Sequence, residues 1–222
     1  LFIITLMTSL GKQPSSPHLH LAVLLLTAGE GSRLGSIPKA LLQKEGKSLL
    51  SHFCHSLEAF SPMEFLVITG FHEEAIEAEL KQLQQDHDLP IQSVLNPHPE
   101  LGQASSVRLG LENLKSDYEV LLVALCDQPL VGSNEIDALL RQFEQRDQRK
   151  EVILPMVGQQ RGNPVMFSRK VIKDILAIPA MVCRPFMDRH PELVQIFATD
   201  NQAYIADVDT VADISKFDLQ LT

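Results

Sequence analysis

Six short apolar stretches alternate along the chain with segments that have a helical period. The apolar stretches are rich in Leu, Val and Ile and cover residues 21–26, 64–70, 91–95, 119–125, 151–156 and 163–168. Apolar residues recur every three or four positions over 48–60, 72–85 and 132–145. Ser133 is a candidate N-cap for the third of these helices. Strands that alternate with helices predict an α/β fold in which helices cover both faces of a parallel sheet.

The chain before the first strand has a different composition. Residues 1–7, LFIITLM, are apolar, but they are too few to cross a membrane and lack the basic segment of a signal peptide. Residues 8–20 are polar and contain Pro and Ser. We therefore expect a flexible leader over 1–20 and a single domain over 21–222, with no signal peptide and no membrane partner.

The charge balance limits the classes of partner. The chain has 28 acidic against 19 basic residues and a formal net charge of −9. A broad nucleic-acid-binding surface is disfavoured, because such surfaces are basic, but a locally basic pocket for a small anion is compatible with this balance. The three cysteines form no C-x-x-C pair, which fits a reducing cytoplasm better than a disulfide scaffold. We expect a cytoplasmic protein.

The loop after the first strand carries glycines and two cations. A doubly wound sheet binds ligands at the carboxyl ends of its strands, and TAGEGSRLG, residues 27–35, lies at such an end. Small residues let the backbone approach an anion, and Arg33 and Lys39 add contacts to phosphate oxygens. The glycine spacing fits neither the dinucleotide fingerprint nor the P-loop. A plain strand-to-helix loop with two surface cations remains the alternative.

Carboxylates follow other apolar segments. Asp127 ends the fourth strand, where Mg²⁺ bound to substrate phosphates would be held, although a turn cap before Pro129 explains it equally well. Asp207 and Asp209 lie on one face of a late extended segment. They join Asp127 in one site only if the fold brings them together. His52 and His55, three residues apart on a predicted helix, are a possible pair of metal ligands with no third ligand nearby in sequence.

Five segments resemble, in order, the motifs of the MobA/MocA-like nucleotidyltransferases. They are LTAGEGSRLGSIPKALL (26–42), LGQASSVRLGLENL (101–114), CDQPL (126–130), RGNPVMFS (161–168) and DVDTVADI (207–214). The resemblance extends over residues 21–216. It implies a three-layer α/β/α, Rossmann-like sandwich of the GT-A nucleotide-diphospho-sugar transferase type, with a mixed, mostly parallel sheet.

The same resemblance implies a reaction and assigns residues to it. A nucleoside monophosphate would pass from an NTP to a phosphorylated acceptor, with Mg²⁺ required, pyrophosphate released and no protein nucleophile. Arg33, Lys39 and Asp127 would be catalytic, and Asp127 and Asp209 would hold the metal. The implied nucleotide-binding residues are Thr27, Ala28, Gly29, Glu30, Gly31, Ser32, Arg33, Lys39, Thr69, Gly70, Gly102, Ser105 and Ser106.

Within that family the chain is most similar to the branch of molybdenum cofactor cytidylyltransferases. The guanine-specific branch has Gly-Gly where this chain has Ala28 and Gly29. A methyl group at Ala28 narrows the room for a base and favours the pyrimidine of CTP. Molybdopterin is then the expected acceptor, with a molybdoenzyme apoprotein as a further partner. The implied acceptor-binding residues are Arg161, Gly162, Asn163 and Pro164.

One departure lies beside the implied metal residue and a second on the acceptor side, and two other functions stay open. Val211 and Ala212 replace the family's Pro and Glu, and residues 176–192 lack its common G-D-x-G-A-R pattern. One alternative is nucleotidyl transfer to a sugar phosphate or another phosphorylated acceptor. The other is a chaperone that binds the nucleotide or cofactor without catalysis.

Overall fold

The computed structural model describes residues 19–221, which form a sheet flanked by helices. The strands are β1 Leu21–Leu26, β2 Gln43–Lys44, β3 Lys47–Ser48, β4 Glu64–Thr69, β5 Ile91–Leu95, β6 Val120–Leu125, β7 Val152–Val157, β8 Gln160–Arg161, β9 Val165–Ser168 and β10 Val194–Ala198. The helices are α1 Leu49–Leu57, α2 Glu73–Asp86, α3 Gln103–Asn113, α4 Ser133–Glu144, α5 Arg169–Ala177, α6 Cys183–Arg189 and α7 Val211–Lys216.

The main sheet has eight strands and is mixed. Its order is β10-β7-β9-β6-β1-β4-β5, with β8 added to β7, while β2 and β3 form a separate hairpin. β1 lies between β4 and β6, parallel to both. β9 is antiparallel to β6 and to β7, because the few residues between β7 and β9 are too short for a helical crossover. The mixed, mostly parallel sheet that the family resemblance implies is confirmed. The wholly parallel sheet that the alternation of strands and helices predicts is wrong.

Helices cover the sheet on both faces and complete a three-layer sandwich. Alternate residues of β1 enter opposite cores: Val23 packs with the residues of α1, α2 and α4, and Leu24 packs with those of α3, α5 and α6. Every residue of β1 and of β4 is buried, as expected for strands with helices on both sides. A third, smaller core joins α7 to the loop after β1 through Val208 and Leu34.

The periodicity places the three predicted helices correctly but misses α3. The buried face of α3 consists of Ser106, Val107, Gly110 and Leu111, so half of it is small residues. A Cβ on Gly110 would overlap the side chain of Leu24, which shows how closely α3 lies against β1. Small residues that permit close packing carry little hydrophobic signal, and the pattern therefore predicts no helix here.

One boundary prediction needs correction, and another falls mostly outside the described residues. Ser133 is the first residue of α4 rather than its N-cap; the cap is Gly132, whose N–H donates to the Glu135 carboxylate at 2.9 Å. The predicted leader lies outside the described residues except for 19–20, and there the N–H of His20 donates to Glu119 at 3.0 Å. No helix within residues 19–221 has the length and apolar character needed to cross a bilayer.

Candidate active site

The loop that follows β1 forms one wall of a cavity at the carboxyl edge of the sheet. β1 lies at the point where the order of the strands reverses, because β4 lies on one side of it and β6 on the other. Ligands bind at such switch points of an α/β sheet. Gly31 has φ 67°, and a Cβ there would overlap the carbonyl of Ile37. Only glycine meets both demands without strain. Residues 32–34 then form a short 3-10 turn that exposes Arg33.

Two hydrogen bonds fix this loop against β4 and the start of α2. The buried Thr27 hydroxyl donates to the Ile68 carbonyl at 2.8 Å, and the His72 imidazole meets the Glu30 carbonyl, also at 2.8 Å. Thr69 and Gly70 do not line the cavity. Gly70 lies against Ala28, where an added Cβ would come within 2.8 Å of the Ala28 Cβ. Gly70 therefore supports the loop from behind, and Thr69 ends β4 without lining the cavity.

Lys39 joins two carboxylates from distant parts of the chain. Its Nζ lies 2.9 Å from Asp127 Oδ2 and 2.7 Å from Asp209 Oδ1. Arg33 approaches the other oxygen of Asp209 at 3.5 Å. Burial acts to lower the pKa of Lys39, but the two carboxylates outweigh it and raise the pKa above its ordinary value, so the side chain is an ammonium.

A backbone contact explains why the two carboxylates meet. The N–H of Val208 donates to the Asp127 carbonyl at 2.9 Å, which aligns the late segment with the end of β6. Asp209 then lines the cavity, whereas Asp207 does not. Burial, followed by the charge of Asp127, raises the pKa of Asp207. The Asp213 carboxylate accepts the N–H of Asp209 at 3.2 Å and holds this segment at the start of α7.

The carboxylate pair fits a divalent cation such as Mg²⁺. Asp127 Oδ1 is buried and has no hydrogen-bond partner among the described residues, so an acceptor oxygen at the cavity is left free. The Asp209 carboxylate meets the same Lys39 ammonium as Asp127 does, and Mg²⁺ prefers one or two carboxylates together with phosphate oxygens. Asp127 and Asp209 are therefore the residues that would hold it.

The start of α3 forms the opposite wall. Gly102, Gln103 and Ser106 line the cavity, and the free N–H groups and positive dipole end of this helix favour an anion. Ser105 does not line it; its hydroxyl instead donates to the Gly102 carbonyl at 2.8 Å. The buried Asn96 amide donates to both serine hydroxyls, at 2.8 and 2.9 Å, and so fixes the first turn.

The complete cavity has a volume of about 410 Å³ and is suited to a polyanion. Its walls offer backbone N–H groups, the Arg33 guanidinium and the Lys39 ammonium to phosphate oxygens. Of the predicted nucleotide-binding residues, those that line it are Thr27, Ala28, Gly29, Glu30, Gly31, Ser32, Arg33, Lys39, Gly102 and Ser106. Asp127 and Asp209 line it as well, so the fold brings the predicted catalytic and metal residues to one place.

A second cavity of about 340 Å³ adjoins the first and shares Leu26, Gln103 and Leu125 with it. The predicted acceptor residues Arg161, Gly162 and Asn163 line it, and Pro164 does not. Apolar side chains from five elements form most of the remaining wall, including Val107, Val123, Leu154, Phe167 and Met187. Burial raises the pKa of Cys183 in this wall to about 12, so its thiol is protonated and is no nucleophile.

Two structural contacts hold this second cavity open. Gly162 lies against Tyr204, where a Cβ would come within 2.7 Å of the Tyr204 Cβ, and the N–H of Asn163 donates to the Tyr204 carbonyl at 2.8 Å. On the other side, the Arg108 guanidinium donates to carbonyls at the end of α5 and beyond, among them Ile178 at 3.0 Å and Met181 at 3.2 Å. Arg108 thus positions the segment that leads into α6.

Sequence reasoning missed several residues of the site. Gln103, Phe71 and Pro99 line the first cavity, and Asn96 organises the start of α3. For Asn96 a signal existed, because it directly follows the predicted strand 91–95 and residues after strands are the informative ones. Phe71 carries the same signal, because it directly follows the predicted strand 64–70. Pro99 and Gln103 begin helical turns, and no pattern in the sequence marks them.

The fold and the site define a Rossmann-like α/β protein with a polyanion-binding cavity at its switch point. Residues 23–193 match the MobA-like NTP transferase domain, and the chain belongs to that family. Bifunctional protein GlmU of Mycobacterium avium (strain 104) is 36% identical over 121 residues, which are 54% of this chain and 24% of that protein. The chain therefore spans about a quarter of the length of the curated relatives it matches.

Two solved structures have the same fold. The crystal structure of Rv0371c from Mycobacterium tuberculosis H37Rv superposes with a TM-score of 0.69 at 20% identity, covering 90% of this chain and 97% of that one. The same protein was also solved in complex with manganese. The 4-diphosphocytidyl-2C-methyl-D-erythritol synthase from Anaerococcus prevotii superposes with a TM-score of 0.67 at 14% identity, covering 90% and 95%.

Proposed function

We propose that this chain is a nucleotidyltransferase that moves CMP from CTP onto a phosphorylated acceptor, molybdopterin, and releases pyrophosphate. One observation carries the proposal. Lys39, Asp127 and Asp209 meet in a cavity suited to a polyanion, and a second, mainly apolar cavity adjoins it. That arrangement offers separate places for two substrates with charged groups between them.

In this mechanism the chain positions the reactants and neutralises charge. The loop 27–33 and the start of α3 hold the triphosphate through backbone N–H groups and Arg33. A phosphate oxygen of the acceptor attacks the α-phosphorus, the bond to the bridging oxygen of the β-phosphate breaks, and that oxygen leaves with the electron pair. The Lys39 ammonium stabilises the negative charge that develops on the α-phosphate. A Mg²⁺ ion held by Asp127 and Asp209 would neutralise phosphate charge in the same place.

The walls of the second cavity support the choice of acceptor. A sugar phosphate presents several hydroxyl groups, which need hydrogen-bond partners when they are buried. The apolar wall with Phe167 and Met187 supports a flat ring system instead. Arg161 lies in the same wall and is paired with Asp188 at 2.7 Å, so its guanidinium would have to be shared with an acceptor phosphate. The cytidine nucleotide is supported by Ala28 in the cavity wall and by the name of the Anaerococcus relative. A cytoplasmic location and a molybdoenzyme apoprotein as recipient belong to the same proposal.

The first experiment measures pyrophosphate release with Mg²⁺ and molybdopterin, comparing CTP, GTP, ATP and UTP. Strong preference for CTP is expected. Preference for GTP would keep the reaction and overturn the base assignment. Turnover only with a sugar phosphate in place of molybdopterin would overturn the acceptor, and nucleotide binding without turnover on any acceptor would favour the chaperone.

A further inference from the structure

Two histidines and a glutamate meet at the edge of the sheet opposite both cavities. α1 ends just before β4 begins, and α2 ends just before β5 begins, so both helices end at the amino edge of the sheet. His55 lies in the last turn of α1, Glu58 directly follows that helix, and His87 directly follows α2. None of the three lines either cavity.

The glutamate carboxylate connects the two imidazoles. Glu58 Oε2 lies 3.0 Å from His55 Nδ1, and Glu58 Oε1 lies 2.6 Å from His87 Nδ1. The three ligand atoms all lie within 4.8 Å of one another. Three groups that are separate in sequence thus point their donor atoms at one volume of space.

This donor set has the chemistry of a zinc site. Zn²⁺ takes imidazole nitrogen and carboxylate oxygen at about 2.0–2.2 Å, and tetrahedral geometry then separates neighbouring ligand atoms by roughly 3.3 Å. The observed separations reach that value with small side-chain rotations. Each histidine would bind through Nδ1 and keep its proton on Nε2.

The surroundings also favour a cation. Both imidazoles lie at the carboxyl ends of helices, where the helix dipole is negative. The side chain of His87 is only 11% exposed, so one ligand is already fixed by packing.

His52 does not take part, although the sequence suggests it as the partner of His55. Its Nε2 lies 2.8 Å from the Lys44 carbonyl, in the hairpin before α1. The second imidazole is that of His87, directly after α2. The spacing of residues within α1 cannot predict it.

We propose that His55, Glu58 and His87 form a zinc site that fastens the end of α1 to the end of α2. Water completes the fourth position, since the cluster is open to solvent. The site is separate from the nucleotide cavity and independent of the reaction proposed there.

The test uses tag-free chain stripped of metal by a chelator and then titrated with Zn²⁺ in excess Mg²⁺, which occupies the carboxylate pair. Calorimetry should give one Zn²⁺ per chain, and saturating Zn²⁺ should raise Tm by about 5 °C. Co²⁺ in place of Zn²⁺ should give the intense visible absorption of a tetrahedral site.

Three variants decide the assignment. His55→Gln and His87→Gln should each weaken Zn²⁺ binding by roughly tenfold or more and abolish the Tm shift. His52→Gln, which removes an imidazole from the same helix, should bind Zn²⁺ as the wild type does. The proposal would be overturned if the wild type did not bind Zn²⁺ stoichiometrically, or if His55→Gln and His87→Gln bound Zn²⁺ as tightly as the wild type does. Neither result depends on whether the chain transfers nucleotides.

Discussion

The two cavities share a boundary but differ in how they are built. The first is walled by backbone N–H groups, Arg33 and Lys39, with Asp127 and Asp209 at its edge. The second is walled mainly by apolar side chains, with Arg161 among them. The first suits the phosphates that all nucleoside triphosphates share, whereas the second suits the body of one particular acceptor.

This difference indicates which segments would carry nucleotidyl transfer and which would carry specificity for the acceptor. The charged cavity forms where segments directly follow parallel strands, as 27–33 follows β1 and Asp127 follows β6. The apolar cavity needs the antiparallel return of β9 and the docking of α6. Changes in the first cavity should therefore reduce turnover with every acceptor, and changes around the second should alter use of the acceptor alone.

The largest effect is expected from Lys39→Met. Methionine keeps much of the length of the side chain but removes the charge opposite the α-phosphate. Loss of one such preorganised group costs about 10²–10³-fold in kcat. Steady-state pyrophosphate release with saturating Mg²⁺ measures it, and Lys47→Met, at an exposed position in β3, is the matched control.

Melting temperatures of both lysine variants separate lost chemistry from lost folding. Lys39→Met should melt within a few degrees of the control in the presence of Mg²⁺. Wild-type kcat in a folded Lys39→Met protein would contradict the assigned role of this residue.

A smaller effect is expected from Asp209→Asn. The amide keeps the size of the side chain but loses the negative charge that would hold the metal, so the Mg²⁺ concentration for half-maximal rate should rise about tenfold or more. Asp207→Asn is the control, because Asp207 does not line the cavity. A larger shift in the Asp207 variant would exchange the roles of the two residues.

Sequence alone predicts the charged cavity well, because its logic is local. The strands beside this cavity, β1 and β6, are apolar runs that the sequence predicts as strands, and parallel strands end at one edge. Residues that follow them, such as Arg33 and Asp127, therefore come together without any knowledge of long-range packing. The resemblance to a family adds the pairing of Asp127 with Asp209, which spacing alone leaves undecided.

The other parts of the fold and of the site depend on tertiary contacts that produce no periodic pattern in the sequence. The pairing of Asp127 with Asp209 needs the hydrogen bond from Val208, 81 residues after Asp127 in the chain. α3 is hidden because Gly110 and Ser106 lie on its buried face. The direction of β9 follows from the length of its connection, and strand composition does not encode direction.

Arg108→Lys tests the second cavity by changing a residue that does not line it. Lysine keeps the charge but offers one ammonium in place of the planar guanidinium, so it cannot reach all the carbonyls that Arg108 contacts beyond α5. The looser segment should raise KM for the acceptor by roughly fivefold, while KM for CTP and kcat change little. Arg141→Lys is the control, because it makes the same exchange in an ion pair with Asp137 on α4.

The smallest effect, and the finest test, comes from Ala28→Gly. Ala28 lines the cavity, is only 7% exposed and is backed by Gly70, so the residue has no room to move away from a larger base. Removing one carbon from a packed wall is worth about 1 kcal/mol, or roughly fivefold in relative kcat/KM. The variant should therefore use GTP better relative to CTP by about that factor. The second cavity should not respond, so KM for the acceptor stays unchanged. An unchanged ratio of the two nucleotides would show that base selection lies elsewhere in the wall, and Phe71 and Pro99 are then the residues to vary next, since both line the same cavity and neither contributes charge.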